Sequence, residues 1–153
     1  MSARSKARKR ALDVLFEADA RGVSALDVLS QTQERRHADG HAAMNPYVDV
    51  LVRGTAVHQE QIDELLSSYS MGWAVDRMPA VDRSILRLGA YEVLWGTEAP
   101  EAVAIAEAVA LAAALSTDES PSFVNGLLGR LLELKPRLAI DPSGTPAADP
   151  AAS

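Results

Sequence analysis

Apolar residues recur at intervals of three and four along nearly the whole chain, and no stretch alternates strictly for long enough to make a strand. Helices are therefore the predicted element throughout. The first covers residues 6–20, with Leu12, Leu15 and Phe16 on successive turns and Gly22 as its stop. Ser24 opens a second helix by accepting from the amide of Asp27, and Leu26, Val28 and Leu29 face inward before a polar loop over 35–44. Asn45 as cap and Pro46 in the first helical position begin a long third helix that ends near Tyr69. Gly72 and Pro79 bracket a turn with a short helical piece at 73–77. Residues 80–95 are apolar on nearly all sides, which assigns that helix to the middle of the structure. An Ala-rich helix runs from Pro100 to Leu115, and a last one opens with Ser120 and Pro121 and stops at Pro136. After Ala139 the composition turns to Pro, Ala, Gly, Ser and Asp, which cannot bury enough apolar surface to order a chain. The expectation is one helical domain over 1–138 and a disordered tail over 139–153.

Composition narrows the function more than the fold. Cysteine is absent, which excludes a disulfide framework, thiolate catalysis and any Cys-containing metal site, and suits a reducing cytoplasm. The most apolar stretch, 99–115, carries Glu101 and Glu107 and falls short of the roughly 20 apolar residues that a membrane span needs. The charged N-terminus is followed by no apolar signal region. A soluble cytoplasmic protein is expected. The net charge of -6 conceals an asymmetry: Arg4, Lys6, Arg8, Lys9 and Arg10 stand in the first ten residues without an acid, and the rest of the chain is acidic. A solvated tail is one reading of such a run. Here it continues without Gly or Pro into Ala11 and Leu12, so it extends a helix, with Arg4 and Arg8 one turn apart in an arrangement suited to a phosphate backbone.

Other candidates are weaker. His37 and His41 are four apart in a polar, loop-like segment with no carboxylate between them, and read as surface histidines; no metal site is expected. Asp118 and Glu119 precede a helix, where acids satisfy terminal amides. With no glycine-rich phosphate loop or nucleophile elbow either, the chain is expected to be no enzyme and to need no cofactor. Arg83 and Arg87 read as partners of Asp82 or Glu92. Gly126 and Gly129 sit inside the last helix, where each costs about 1 kcal/mol relative to Ala, which suggests close approach by a neighbouring helix or an RNA strand. Phe123 could stack on an unpaired base and Asn125 could read a base edge.

The basic start with Ala11, Leu15 and Phe16, the run Val81-Asp82-Arg83-Ser84-Ile85-Leu86-Arg87-Leu88 with Tyr91-Glu92, the run Val103-Ala104-Ile105-Ala106-Glu107-Ala108-Val109, and Phe123-Val124-Asn125-Gly126 resemble the NusB family in order and spacing. The resemblance implies an all-α fold of about seven helices in two perpendicular three-helix bundles. It implies a transcription antitermination factor that binds boxA RNA with the small-subunit ribosomal protein acting as NusE, within the antitermination complex of RNA polymerase. By position it makes Arg4, Lys6 and Arg8 RNA-contacting residues, Phe123 a base-contacting aromatic and Glu119 an acid near the RNA. It puts Phe16 and Asp82 on the surface that meets the ribosomal protein. The basic run departs from the family's pattern at Ser5 and Ala7, and Lys9 and Arg10 stand where other members are neutral or acidic. Two alternatives remain at this point: a NusB-like module of the kind found in ribosomal RNA methyltransferases, for which a chain ending at Ser153 leaves no catalytic domain, and a helical adaptor that contacts only proteins. An apolar helix patch would serve partner binding or a homodimer equally well.

Overall fold

The computed structural model describes residues 2–140, and these form seven α-helices and two short 3₁₀ turns with no strand among them. The helices are α1 (Ala3–Arg21), α2 (Ala25–Ala38), α3 (Pro46–Val57), α4 (Gln59–Tyr69), α5 (Ala80–Leu94), α6 (Glu101–Leu115) and α7 (Ser120–Leu134). Local chemistry fixes most ends. Ser2 caps α1 by accepting from the amide of Ser5, and Gly22 closes it in the left-handed region at φ 66°. Ser24 and Asn45 cap α2 and α3, each accepting from the amide two residues on, and Pro46 takes the first helical position as expected.

Three boundaries differ from expectation for physical reasons. The first helix starts at Ala3 instead of Lys6 because Ser2 supplies its cap. The second runs to Ala38, four residues into the expected loop. The long third helix is two, parted at His58, whose buried imidazole lies flat against Trp95 with ring centroids 4.1 Å apart. That tertiary contact leaves no trace in apolar spacing. Ile140 packs against the core, two residues past the expected domain edge, while the rest of the expected disordered tail, 141–153, lies outside the described residues.

Helices α1, α2 and α3 pack together, as do α5, α6 and α7 with α4 beside them, and α5 also packs against α1 and α3. Its place at the centre follows from a sequence apolar on nearly all sides: Ile85, Leu86, Leu88, Val93 and Leu94 are all buried. The few charges on α5 are each matched to another helix. Arg83 and Arg87 bind Asp19 of α1 at 2.6 and 3.1 Å, and Arg87 also binds Asp63 of α4 at 2.8 Å. Their partners are therefore not Asp82 and Glu92, the neighbours that the sequence offered. Burial pushes the Asp19 carboxyl up, but the hydrogen bonds and charges of the two arginines outweigh it and hold the group below its ordinary range. A carboxylate lowered in the folded state stabilises above the unfolded value of about 3.9 and loses that contribution as pH falls through the folded value. Asp19→Asn should accordingly lower the thermal midpoint at pH 7, and by progressively less below about pH 4; an effect independent of pH would deny the ionic origin.

Candidate nucleic-acid interface

The basic end of α1 divides into two faces. At about 100° per residue, Ala7, Arg8, Ala11, Leu12 and Leu15 share the side turned to the core, and Lys6, Lys9 and Arg10 the side turned outward. Arg8 is only 3% exposed; it grips Glu92 of α5 with two hydrogen bonds of 2.8 and 3.0 Å. The Tyr47 hydroxyl of α3 donates to the same carboxylate at 2.7 Å, and burial together with that bond pushes the phenol far above its usual range. Arg8 is thus corrected from an RNA contact to an internal tie, because a desolvated guanidinium needs a buried acid and Glu92 is that acid. Arg4 lies on the same line but beyond the core, exposed, with its guanidinium 5.6 Å from the Tyr47 ring centroid and donating to the Glu98 carbonyl. The spacing of four between Arg4 and Arg8 is therefore a signature of Tyr47, flanked by both guanidiniums.

The cations left to solvent are Arg4, Lys6 and Arg10, all exposed, and Lys9, which is partly exposed and bound to Asp13 at 2.7 Å. Arg10 borders a shallow groove of about 180 Å³ shared with Arg35 of α2. Ser5 donates to Glu107 of α6 at 2.7 Å, so the start of α1 is fastened on several sides. The basic end is a fixed surface and not a loose tail.

At the other candidate cluster, Phe123 is partly buried on the first turns of α7, with Trp73 set edge-on against it at 5.4 Å between centroids. Glu119 is exposed just before α7 and borders the same cleft. Asn125 is exposed but stands about 200° round the helix from Phe123, so the two are not brought to one site. Gly126 and Gly129 meet no neighbouring helix: a Cβ at either would have nothing within 4 Å. Ser120, expected to cap α7, is instead its first residue and donates to Asp82 at 2.9 Å, as Ser116 does at 2.6 Å.

Asp82 is 3% exposed, which corrects its reading as a surface charge for a partner; both oxygens are occupied in holding the α6–α7 turn to α5. Asp82→Ala should cost about 1–2 kcal/mol of stability in denaturant unfolding, since two hydroxyls lose their acceptor; an unchanged midpoint would return Asp82 to the surface. Phe16, the other expected partner residue, does stand out at 38% exposure. His37 and His41 are both exposed, and no group of three potential metal ligands occurs among the described residues. Sequence reading did not single out Trp73, whose ring borders the cleft, although the signal was available: a lone tryptophan in a polar turn has no helical face to bury it.

These features define a class: an all-helical module that presents a cationic helix end and an aromatic cleft. Residues 5–133 match the model of the NusB family, and the chain belongs to that family of transcription antitermination proteins, which bind and do not catalyse. It is 60% identical to the transcription antitermination protein NusB of Nocardioides sp. over 91% of this chain and all of that one. It is 55% identical to the corresponding Streptomyces avermitilis protein over 90% and 96% of the two chains. Among solved structures, T. maritima NusB matches with a TM-score of 0.75 at 28% identity, covering 87% of this chain and 92% of that one. A complex of antitermination factors NusB and NusE with dsRNA matches at 0.74 and 25% identity, covering 87% and 98%. No helix among the described residues is long and apolar enough to cross a membrane.

Proposed function

We propose that this protein supports processive ribosomal RNA transcription in the cytoplasm by holding boxA RNA together with the small-subunit ribosomal protein that serves as NusE, as part of the RNA polymerase antitermination complex. The observation that carries the reading is the rigid presentation of Arg4, Lys6 and Arg10 at one end of an otherwise acidic molecule. Cations on a fixed helix lose less freedom on meeting a phosphate backbone than cations on a tail, and the acidic remainder steers first contact with the RNA to that end. The similar NusB that was solved with NusE and RNA supports both partners. Phe16, exposed on α1, is the residue we assign to the ribosomal protein, and Phe123 to an unpaired base.

The test is electrostatic. At about 0.7 per single-strand phosphate contact, Arg4, Lys6, Lys9 and Arg10 set a ceiling near 2.8 on the fall of log affinity with log salt. Replacing Lys6 and Arg10 by Gln should reduce the slope measured by filter binding by about 1.4 while the fold persists. An unchanged slope in the folded variant would remove the basic end from the RNA site.

A further inference from the structure

The cationic surface of α1 does not end with α1. Arg10 stands one turn from Lys6 and about 140° round the helix from Ser5, the residue tied to α6, and there it meets α2. Arg10 and Arg35 of α2 border one groove of about 180 Å³. The acids of that groove are engaged, Asp13 with Lys9 at 2.7 Å and Glu17 with Arg21 at 2.9 Å, and neither arginine forms an ion pair among the described residues. Met44, half-buried, lines this groove and also a second one of about 240 Å³, whose walls include Arg36, His37 and His41. The second groove is formed where α2 stops. Gly40 turns the chain in the left-handed region at φ 77°, the amide of His41 donates to the Arg36 carbonyl at 2.9 Å, and the Arg36 guanidinium donates to the Ala42 carbonyl at 2.9 Å. That bond holds the guanidinium as a wall, while its Nε is buried with no partner.

Cations in the last turn of a helix offset its dipole without any ligand. That effect calls for no groove, no cation from α1 and no pair of exposed rings. Unpaired RNA calls for all three: separate cations about a phosphate, apolar ground beneath a sugar and a planar face for a base, a part that imidazole rings and guanidinium planes both fill. Resting on the RNA-binding reading above, we propose that RNA bound along α1 continues past Arg10 onto α2, with a phosphate between Arg10 and Arg35, its sugar across Met44 and the next unpaired base in the groove of Arg36, His37 and His41. With the start of α1 and Phe123 assigned to boxA itself, the nucleotides seated here are those that flank it. Gln33 lines the same groove and offers an amide that donates to or accepts from a base edge. Glu34 and Asp39, the acids of this segment, line neither groove.

Two single-stranded RNAs test this on the full chain: boxA alone, and boxA extended by several unpaired nucleotides on each side. The wild type should hold the extended RNA more tightly, and an extension that adds nothing would overturn the proposal. Arg35→Gln should reduce the salt slope by about 0.7 on the extended RNA and leave the slope on boxA alone unchanged. His37→Ala with His41→Ala should weaken the extended RNA at least about 5-fold, the low end for one stacked base, with boxA alone again unaffected. All three side chains are exposed, so thermal midpoints should hold and affinities can be compared between folded proteins. If both variants bind the extended RNA as the wild type does while the Lys6 and Arg10 variant does not, α2 is no RNA site although the RNA reading stands. If that variant binds both RNAs normally too, the RNA reading itself falls. Equal losses on the two RNAs would put α2 within the boxA footprint and overturn the continuation. Loss of the ribosomal protein in place of RNA would make this end of α2 a protein surface and overturn the proposal as well.

Discussion

Glu92→Ala should cost about 3–5 kcal/mol, because it leaves the Arg8 guanidinium buried without its counter-charge and strips the Tyr47 hydroxyl of its acceptor. Glu92 is 3% exposed, so no water can readily take the place of the carboxylate. The loss is a desolvation penalty and not the worth of the ion pair, and this distinction supplies the control. Arg8→Met with Glu92→Leu removes both charges, keeps the volume and should recover most of the stability. Denaturant unfolding of the two single variants and the double one forms the cycle. A double variant no better than Glu92→Ala alone would show that Arg8 and Glu92 act through separate partners. RNA binding by the double variant should survive wherever it folds, since Arg8 faces inward; a loss of RNA binding in a stable double variant would restore Arg8 to the interface.

Gly54→Ala should destabilise by about 3 kcal/mol, at the upper end for an overpacked core, although Ala ordinarily gains about 1 kcal/mol over Gly within a helix. A Cβ at position 54 would come within 2.1 Å of the Tyr91 ring, and that ring is itself buried between α3 and α5. Gly129→Ala, with nothing near its Cβ, should stabilise by up to about 1 kcal/mol. The two substitutions are chemically identical and should shift the thermal midpoint in opposite directions. Equal signs would mean that propensity, and not the approach of α3 to α5, decides the cost.

These two sites also show where sequence reading stops. Periodicity gave the helices because burial imposes a repeat of 3.6, and it placed α5 at the centre because only a helix with neighbours on every side can be apolar throughout. It could not tell Gly54, pressed against a ring, from Gly129, open to solvent, because a glycine's neighbours come from helices far along the chain. The same blindness turned Arg8 outward and Asp82 to the surface. Each is a charge whose partner is fixed by packing: 84 residues away for Arg8, and at least 34 for Asp82. The exposed cations at the start of α1 and the place of Phe123 at the rim of the buried face of α7 were legible because charge density and helical register are local properties.

The separation between Arg8 and Glu92 bears on how the molecule is made as well as how it stands. Translation runs at about 5–20 residues per second, so the arginine leaves the peptidyl-transferase centre roughly 4–17 seconds before its acid is joined to the chain. During that interval Lys9 alone of the five cations has its acid at hand, Asp13 one turn on in α1, and the ion pair that turns Arg8 inward forms only after α5 has been synthesised.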